Sequence, residues 1–235
     1  TTDLDSNAPP IGGGGGGGGG GSVPPVYRGS LSFNTTTTTV TNYPIDLVLL
    51  QDLSGSFDDD LATIRGLVPS LYSEVTAIQP DSRFGVASFC DKPKQPFGDS
   101  TDFIYQINLP LTSSQTSLQN SINSLQLKSG NDGPEAQLEA LQQIALTKSQ
   151  LGYRTNAVNL VVLFTDAEYH VEGDNPGIVN NGDTNISAFE DYPGVAQVKQ
   201  LLESNNIYPI FSVTSDVTSI YQNLVSQLGR GSVVN

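Results

Sequence analysis

Cationic side chains are scarce in this sequence: ten lysines and arginines stand against 24 aspartates and glutamates in 235 residues, a formal net charge of −14 at pH 7. Affinity for polyphosphate requires clustered cations, so this balance excludes a general nucleic-acid binder. Cysteine is nearly absent as well. Cys90 alone can build neither an internal disulfide framework nor a thiolate zinc cage, so a bound divalent metal is expected to be held through oxygen. Long apolar runs are also missing: no stretch approaches the roughly 18 consecutive apolar residues of a membrane span, and no membrane insertion is expected. What is present is 37% hydrophobic residues gathered in distinct runs, which excludes a disordered acidic chain.

The charge is unevenly placed. Residues 1–42 hold only Asp3, Asp5 and Arg28, a net of −1, leaving −13 for the rest. That first tract is of low complexity. An unbroken glycine run from Gly12 to Gly21 is flanked by Pro9, Pro10, Pro24 and Pro25, and Thr35 to Thr39 follow. It reads as a flexible tether. A glycine run satisfies a dinucleotide-loop pattern trivially, but no strand precedes it and no lysine follows, so it is not read as a nucleotide site.

Residues 43–235 read as one domain. Ile45–Leu50 has the apolar continuity of a strand buried on both faces. Phe57, Leu61, Ile64, Leu67, Val68, Leu71 and Val75 then recur at helical spacing. Further strands are predicted at Phe84–Phe89, Phe103–Leu109, Leu160–Phe164 and Ile207–Val213. Helices are predicted from Pro134, around Val195–Leu202, and from Val217 to Leu228 with Gly229 to end the last. Alternation of this kind implies an α/β fold: a doubly wound, mostly parallel central sheet flanked by helices, Rossmann-like in architecture.

In such sheets ligands gather beyond the carboxyl ends of the strands. Here the first strand runs into Asp52-Leu53-Ser54-Gly55-Ser56, where one carboxylate and two hydroxyls alternate along an extended loop. Three hard oxygen donors at that spacing can form one wall around a divalent cation. Other strand ends carry Asp91 and Asp166, while Asn131-Asp132-Gly133-Pro134-Glu135 delivers an amide and a carboxylate before a helix. Each fragment alone has an ordinary reading as a helix cap or first-turn acid. Several carboxylates converging on one sheet edge repel unless a cation neutralises them, and their joint placement therefore favours a metal site.

These residues resemble the integrin β-subunit I-like domain, a branch of the von Willebrand factor A fold. The resemblance runs through Asp52-Leu53-Ser54-Gly55-Ser56, Asp59-Asp60-Leu61, Phe89-Cys90-Asp91-Lys92-Pro93, Pro134-Glu135, Phe164-Thr165-Asp166-Ala167, His170 and Asp191-Tyr192-Pro193. It implies a central metal-ion-dependent adhesion site of Asp52, Ser54, Ser56 and Glu135, with Asp166 reaching the ion through water. It implies an adjacent site of Asp59, Asp60 and the Ser56 carbonyl, and a third of Asp91, Asn131 and Glu135. By resemblance the central ion is Mg²⁺ and the flanking ions Ca²⁺, and the partner is a protein ligand offering an exposed Asp or Glu to an open position framed by Ser54, Ser56 and Glu135. Low lysine and arginine, abundant Ser, Thr, Asn and Gly, and the glycine tether suit an extracellular or cell-surface setting, and the family carries a histidine at the place of His170 without catalysis, which implies a non-enzymatic role.

The sequence also departs from the family. The segment from Asn131 to Glu135 is one residue shorter, the loop from Asp91 to Asn131 is shorter, and the disulfides of the animal domains are absent. Pro69 falls inside the first long helix, where proline is expected to fix a break. Two other readings of the same residues are a metal-assisted hydrolase and a purely structural, ion-stabilised module of a surface protein. His170 would be the hydrolase's base, but a lone histidine after a strand end is more often a loop residue making structural hydrogen bonds. Cys90, at a buried strand end, reads as inert.

Overall fold

The computed structural model describes residues 43–235; the tract read as a tether, residues 1–42, lies outside the described residues. Strand β1 (Ile45–Asp52) is buried at every position but its first, as a strand covered on both faces must be. It pairs in parallel with β2 (Ser82–Phe89) on one side and with β4 (Val158–Thr165) on the other. Beyond β4 come β5 (Ile207–Val213) and the short β6 (Ser232–Val234), both parallel. Strand β3 (Gln106–Thr112) closes the opposite edge and is antiparallel to β2. The order β3-β2-β1-β4-β5-β6 reverses direction between β1 and β4, so the crevice at their carboxyl ends is where a doubly wound sheet offers a binding site.

Side chains alternate across β1 and divide the core in two. Leu47 and Leu49 pack with Leu61, Ile64 and Val68 of α1 (Asp58–Ile78) and with Leu118 and Ile122 of α2 (Gln115–Ser124). Val48 and Leu50 face the other way. They join Leu138, Leu141 and Ile144 of α3 (Gln137–Leu146) and Leu151 of the single-turn α4 (Lys148–Leu151). The same cluster takes in Val198 and Leu202 of α5 (Val195–Ser204) and Tyr221, Leu224 and Leu228 of α6 (Thr218–Leu228). Gly229 ends α6 in the left-handed region at φ 69°, as its place in the sequence predicts.

Two expectations are corrected. Helix α1 runs through Pro69 without the predicted break. Proline has no N–H for the Arg65 carbonyl four residues earlier, and the Gln119 side-chain amide of α2 donates to that carbonyl instead, at 3.1 Å. Arg65 in turn donates to the Leu125 carbonyl at 2.7 Å, so the acceptor freed by proline helps tie α1 to α2. The second concerns α3, which starts at Gln137 and not at Pro134. Glu135 is held extended by a bridge to Tyr169: its N–H donates to the Glu168 carbonyl and its carbonyl accepts from the His170 N–H, both at 3.0 Å.

At the end of the sheet opposite the crevice, Asp46 is fully buried between two arginines. Arg83 donates to it at 2.9 and 3.1 Å, and Arg154 through its side chain at 2.8 Å and its backbone N–H at 2.6 Å. Burial alone would raise the Asp46 pKa, but the bonds from Arg83 and Arg154 outweigh it and hold the carboxyl below its ordinary value. Asp46→Ala removes the shared partner of both cations. It is expected to cost about 3 kcal/mol in a denaturant melt, the low end for breaking a buried pair because both guanidinium groups keep some access to water. A loss under ~1 kcal/mol would show that the triad does not anchor this end of the sheet.

Candidate metal centre

Asp52 closes β1 and Thr165 closes β4, and the parallel register brings the two strand ends side by side. Thr165 Oγ1 donates to Asp52 Oδ2 at 2.5 Å, and the Ser54 N–H donates to Asp52 Oδ1 at 2.8 Å, which folds the loop back over its own strand. A 3₁₀ turn over Gly55–Phe57 then leads into α1. The turn sets the Ser54 and Ser56 hydroxyl oxygens 3.2 Å apart, and Ser56 donates to Asp166 Oδ1 at 3.1 Å. Glu135 arrives from the third direction. Gly130, at φ +56°, lies between its carboxylate and Ser54: a Cβ there would collide with Glu135 Oε1 and stand 3.1 Å from Ser54 Cβ. Only glycine leaves that space open.

Asp102 steadies this glycine segment without having been singled out in the sequence. Buried to 5% exposure, its carboxylate accepts from the N–H groups of Asp99, Ser129 and Gly130 at 2.8, 3.1 and 3.2 Å. Its role has no local signature, because it comes from a loop that meets residues 129–130 only in the fold. Thr165, also missed, stands next to Asp166 and could have been read as part of that strand end.

Asp52, Ser54 and Glu135 are buried, Asp166 is half-buried and Ser56 is exposed, so the cluster opens to solvent on one side. Among the described residues no lysine or arginine forms an ion pair with Asp52, Glu135 or Asp166. The consequence is visible in their proton affinities. Burial, then the charges of Asp52, Asp91, Asp132 and Asp102, push Glu135 up to about 10. Burial likewise raises Asp52 to about 6, against hydrogen bonds from Thr165 and Ser54. Carboxylates without a basic partner, beside two neutral hydroxyls and a gap kept by glycine, match the hard oxygen donors that Mg²⁺ or Ca²⁺ requires. The residues present fit such an ion.

Asp59 and Asp60 lie in the first turn of α1; the Asp59 side chain lies outside the described residues, and Asp60 is half-buried and engaged with a neighbour. Asn131 is exposed, and its amide nitrogen donates to Asp99 Oδ1 at 3.0 Å. The side chains that gather round Asp91 are Asp132 and His170, with one ligand atom of each within 4.8 Å of the others. Burial opposes a charged imidazole, but Asp91, Asp174 and Asp132 outweigh it and hold the His170 pKa above its ordinary value. Asp132 and Asp174 were not among the residues picked out in the sequence.

A family model described as the integrin beta chain VWA domain matches residues 40–235. Integrin beta-1-A of Xenopus laevis is 33% identical over 229 residues, covering 86% of this chain and 29% of that protein. Integrin beta-PS of Drosophila melanogaster is 30% identical over 215 residues, with 81% and 25% covered, and Integrin beta-6 of Homo sapiens 30% over 221 residues, with 82% and 28%. The chain thus spans less than a third of the length of these relatives. Among solved structures, the SpRpn10 VWA domain gives a TM-score of 0.52 at 14% identity, covering 81% of this chain and 86% of that one. The pilus adhesin SpaC from Lactobacillus rhamnosus GG gives 0.52 at 12%, with 83% and 28% covered. At those identities the likeness shows the fold alone, the doubly wound α/β architecture expected from the sequence.

The raised carboxyl pKa values have a measurable consequence. Without metal the folded chain keeps protons that the unfolded chain releases at the ordinary values, 3.8 for Asp52 and 4.5 for Glu135. The fold then binds more protons than the unfolded chain, and stability falls as pH rises, through about 6 for Asp52 and about 10 for Glu135. In chelator, Tm is expected to drop between pH 5 and pH 8, Mg²⁺ with Ca²⁺ to recover more at pH 8 than at pH 5, and Glu135→Gln to flatten the slope. A Tm indifferent to both pH and cation contradicts the assignment.

Proposed function

This chain belongs to the integrin β-chain VWA domain family, and on that premise we propose that it is an adhesion module that recognises an acidic side chain of a protein partner through a divalent cation. Asp52, Ser54, Ser56 and Glu135 hold the central Mg²⁺, with Asp166 outside them, and Asp59 with Asp60 holds a flanking Ca²⁺. Such an ion supplies an open coordination position for a carboxylate oxygen. The chain's own residues prepare that position. Two of the donors, Ser54 and Ser56, are neutral, so the site does not cancel the charge it is built to hold. Thr165 and the Ser54 N–H fix the Asp52 carboxylate, and the bridge to Tyr169 fixes the strand end that carries Glu135.

The observation that carries this reading is the pair of hydroxyls 3.2 Å apart, opening to solvent at Ser56 beside a buried Glu135 that has no lysine or arginine partner among the described residues. Binding is favoured over catalysis because both nitrogens of His170 are already engaged, Nδ1 with Asp174 and Nε2 with Asp132, each at 3.1 Å. The Cys90 thiol is fully buried, and burial together with Glu135 pushes its pKa far above the usual range, so it stays protonated. The setting that suits this role is the cell surface or the extracellular space.

The test is an array of linear peptides, each bearing one Asp or Glu and paired with its Asn or Gln twin. In Mg²⁺ the protein is expected to retain a subset of the acidic peptides. Retention should fall at least tenfold in excess chelator, on the amide twins, and for Asp52→Ala and Glu135→Ala, with circular dichroism unchanged. Equal retention of the amide twins, or binding that survives chelation, contradicts the proposal.

A further inference from the structure

We infer that α3 and the loop between β4 and α5 enclose a calcium site of their own, made by Glu139 and Gln142 of the helix with Asp183, Glu190 and Asp191 of the loop. All five line one small polar cavity of about 10 Å³, the room of a single water or ion. The site shares no residue with the central position or with the flanking sets around Asp59 and Asp91.

Two buried oxygens without donors point to a ligand. Glu139 and Gln142 are 1% and 2% exposed, and neither Glu139 Oε2 nor Gln142 Oε1 meets a hydrogen-bond donor. Neither side chain is free to turn and find one. Glu139 is held through Oε1, which accepts from the Lys92 ammonium at 2.7 Å. Gln142 is held through Nε2, which donates to the Thr184 carbonyl at 3.3 Å. That acceptor fixes which end of the amide is nitrogen and leaves the oxygen unserved. A buried oxygen in this state costs stability until a cation or a water meets it.

The loop supplies more acid to the same cavity. Asp183 is exposed, and its Oδ1 accepts from the Asn185 N–H at 2.9 Å. Asp191 is buried, its carboxylate aimed by the N–H groups of Gly173 and Asn175 at 2.7 and 3.2 Å. With Glu139 and Glu190, four carboxylates line the space, and among the described residues that line it none is basic. Lys92 reaches Glu139 from outside the cavity, and burial outweighs it, pushing the Glu139 pKa up to about 7. No three of these carboxylates come within 4.8 Å of one another as Asp91, Asp132 and His170 do, so amide oxygen and water must complete a shell here. Calcium accepts six to eight oxygens of mixed kind in irregular geometry, whereas magnesium demands a near-ideal octahedron. Bound calcium fastens the loop to α3 and steadies Tyr192, the neighbour of Asp191, whose ring stacks on His170 with centroids 4.3 Å apart.

The test is hydrogen exchange of the chelator-stripped chain at saturating Mg²⁺, with and without Ca²⁺, beside anomalous diffraction from crystals grown in Ca²⁺. Calcium is expected to slow exchange across residues 180–191 at least tenfold and to give an anomalous peak between Gln142 and Asp183. Asp183→Asn, a change on an exposed loop, should abolish both effects. Asp52→Ala and Asn131→Ala should keep both, which separates this site from the central and flanking positions. Exchange indifferent to Ca²⁺, slowing that survives in Asp183→Asn or is lost in Asp52→Ala, or water alone in the cavity overturns the inference.

Discussion

Burying carboxylates without a cationic side chain beside them is the constraint on which this structure turns. Asp52 and Glu135 sit inside the carboxyl-end crevice of the sheet, and neither has a lysine or arginine partner among the described residues. Elsewhere the same chain pairs two of its buried acids with cations: Asp46 lies between Arg83 and Arg154, and Glu139 accepts from Lys92 at 2.7 Å. The contrast separates two jobs for acid in one domain. At the far end of the sheet charge is cancelled internally and anchors the fold. At the crevice no such cancellation is seen among the described residues, and the proposed function assigns that charge to a cation from outside.

The fold is arranged to keep that crevice rigid. Parallel pairing of β1 with β4 sets Asp52 against Thr165, and backbone bonds across Glu135–Tyr169 carry a third oxygen donor to the same place. Asp102 holds the Gly130 segment, and Gly130 leaves room between Glu135 and Ser54. These supports hold in place side chains that would otherwise separate by mutual repulsion, and under the proposed function they let a protein of net charge −14 recognise one external acidic group.

Much of this was legible in the sequence where a signal is local. The apolar run at Ile45–Leu50 and the stripe from Val217 to Leu228 with Gly229 after it name their own roles, and Asp52-x-Ser-x-Ser marks the strand end at the crevice. Signals carried by the fold were not legible. Helix α2 offers only Leu118 and Ile122 to the core, and its remaining residues are polar, so no stripe stands out. Pro69 reads as a break, because nothing local shows that Gln119, fifty residues on, serves the carbonyl that proline leaves free. Asp132 and His170 are 38 residues apart and meet only through the bridge between their segments.

The central claim is that the crevice holds a cation whose shell the protein leaves open. The most direct measurement is a crystal structure grown with Mg²⁺ and Ca²⁺. The account predicts Mg²⁺ about 2.0–2.1 Å from the Ser54 and Ser56 hydroxyls and a Glu135 oxygen, with water or a neighbouring molecule's carboxylate completing the octahedron on the exposed side. A central position without metal at saturating Mg²⁺, or an ion whose shell is closed by protein atoms alone, would contradict it.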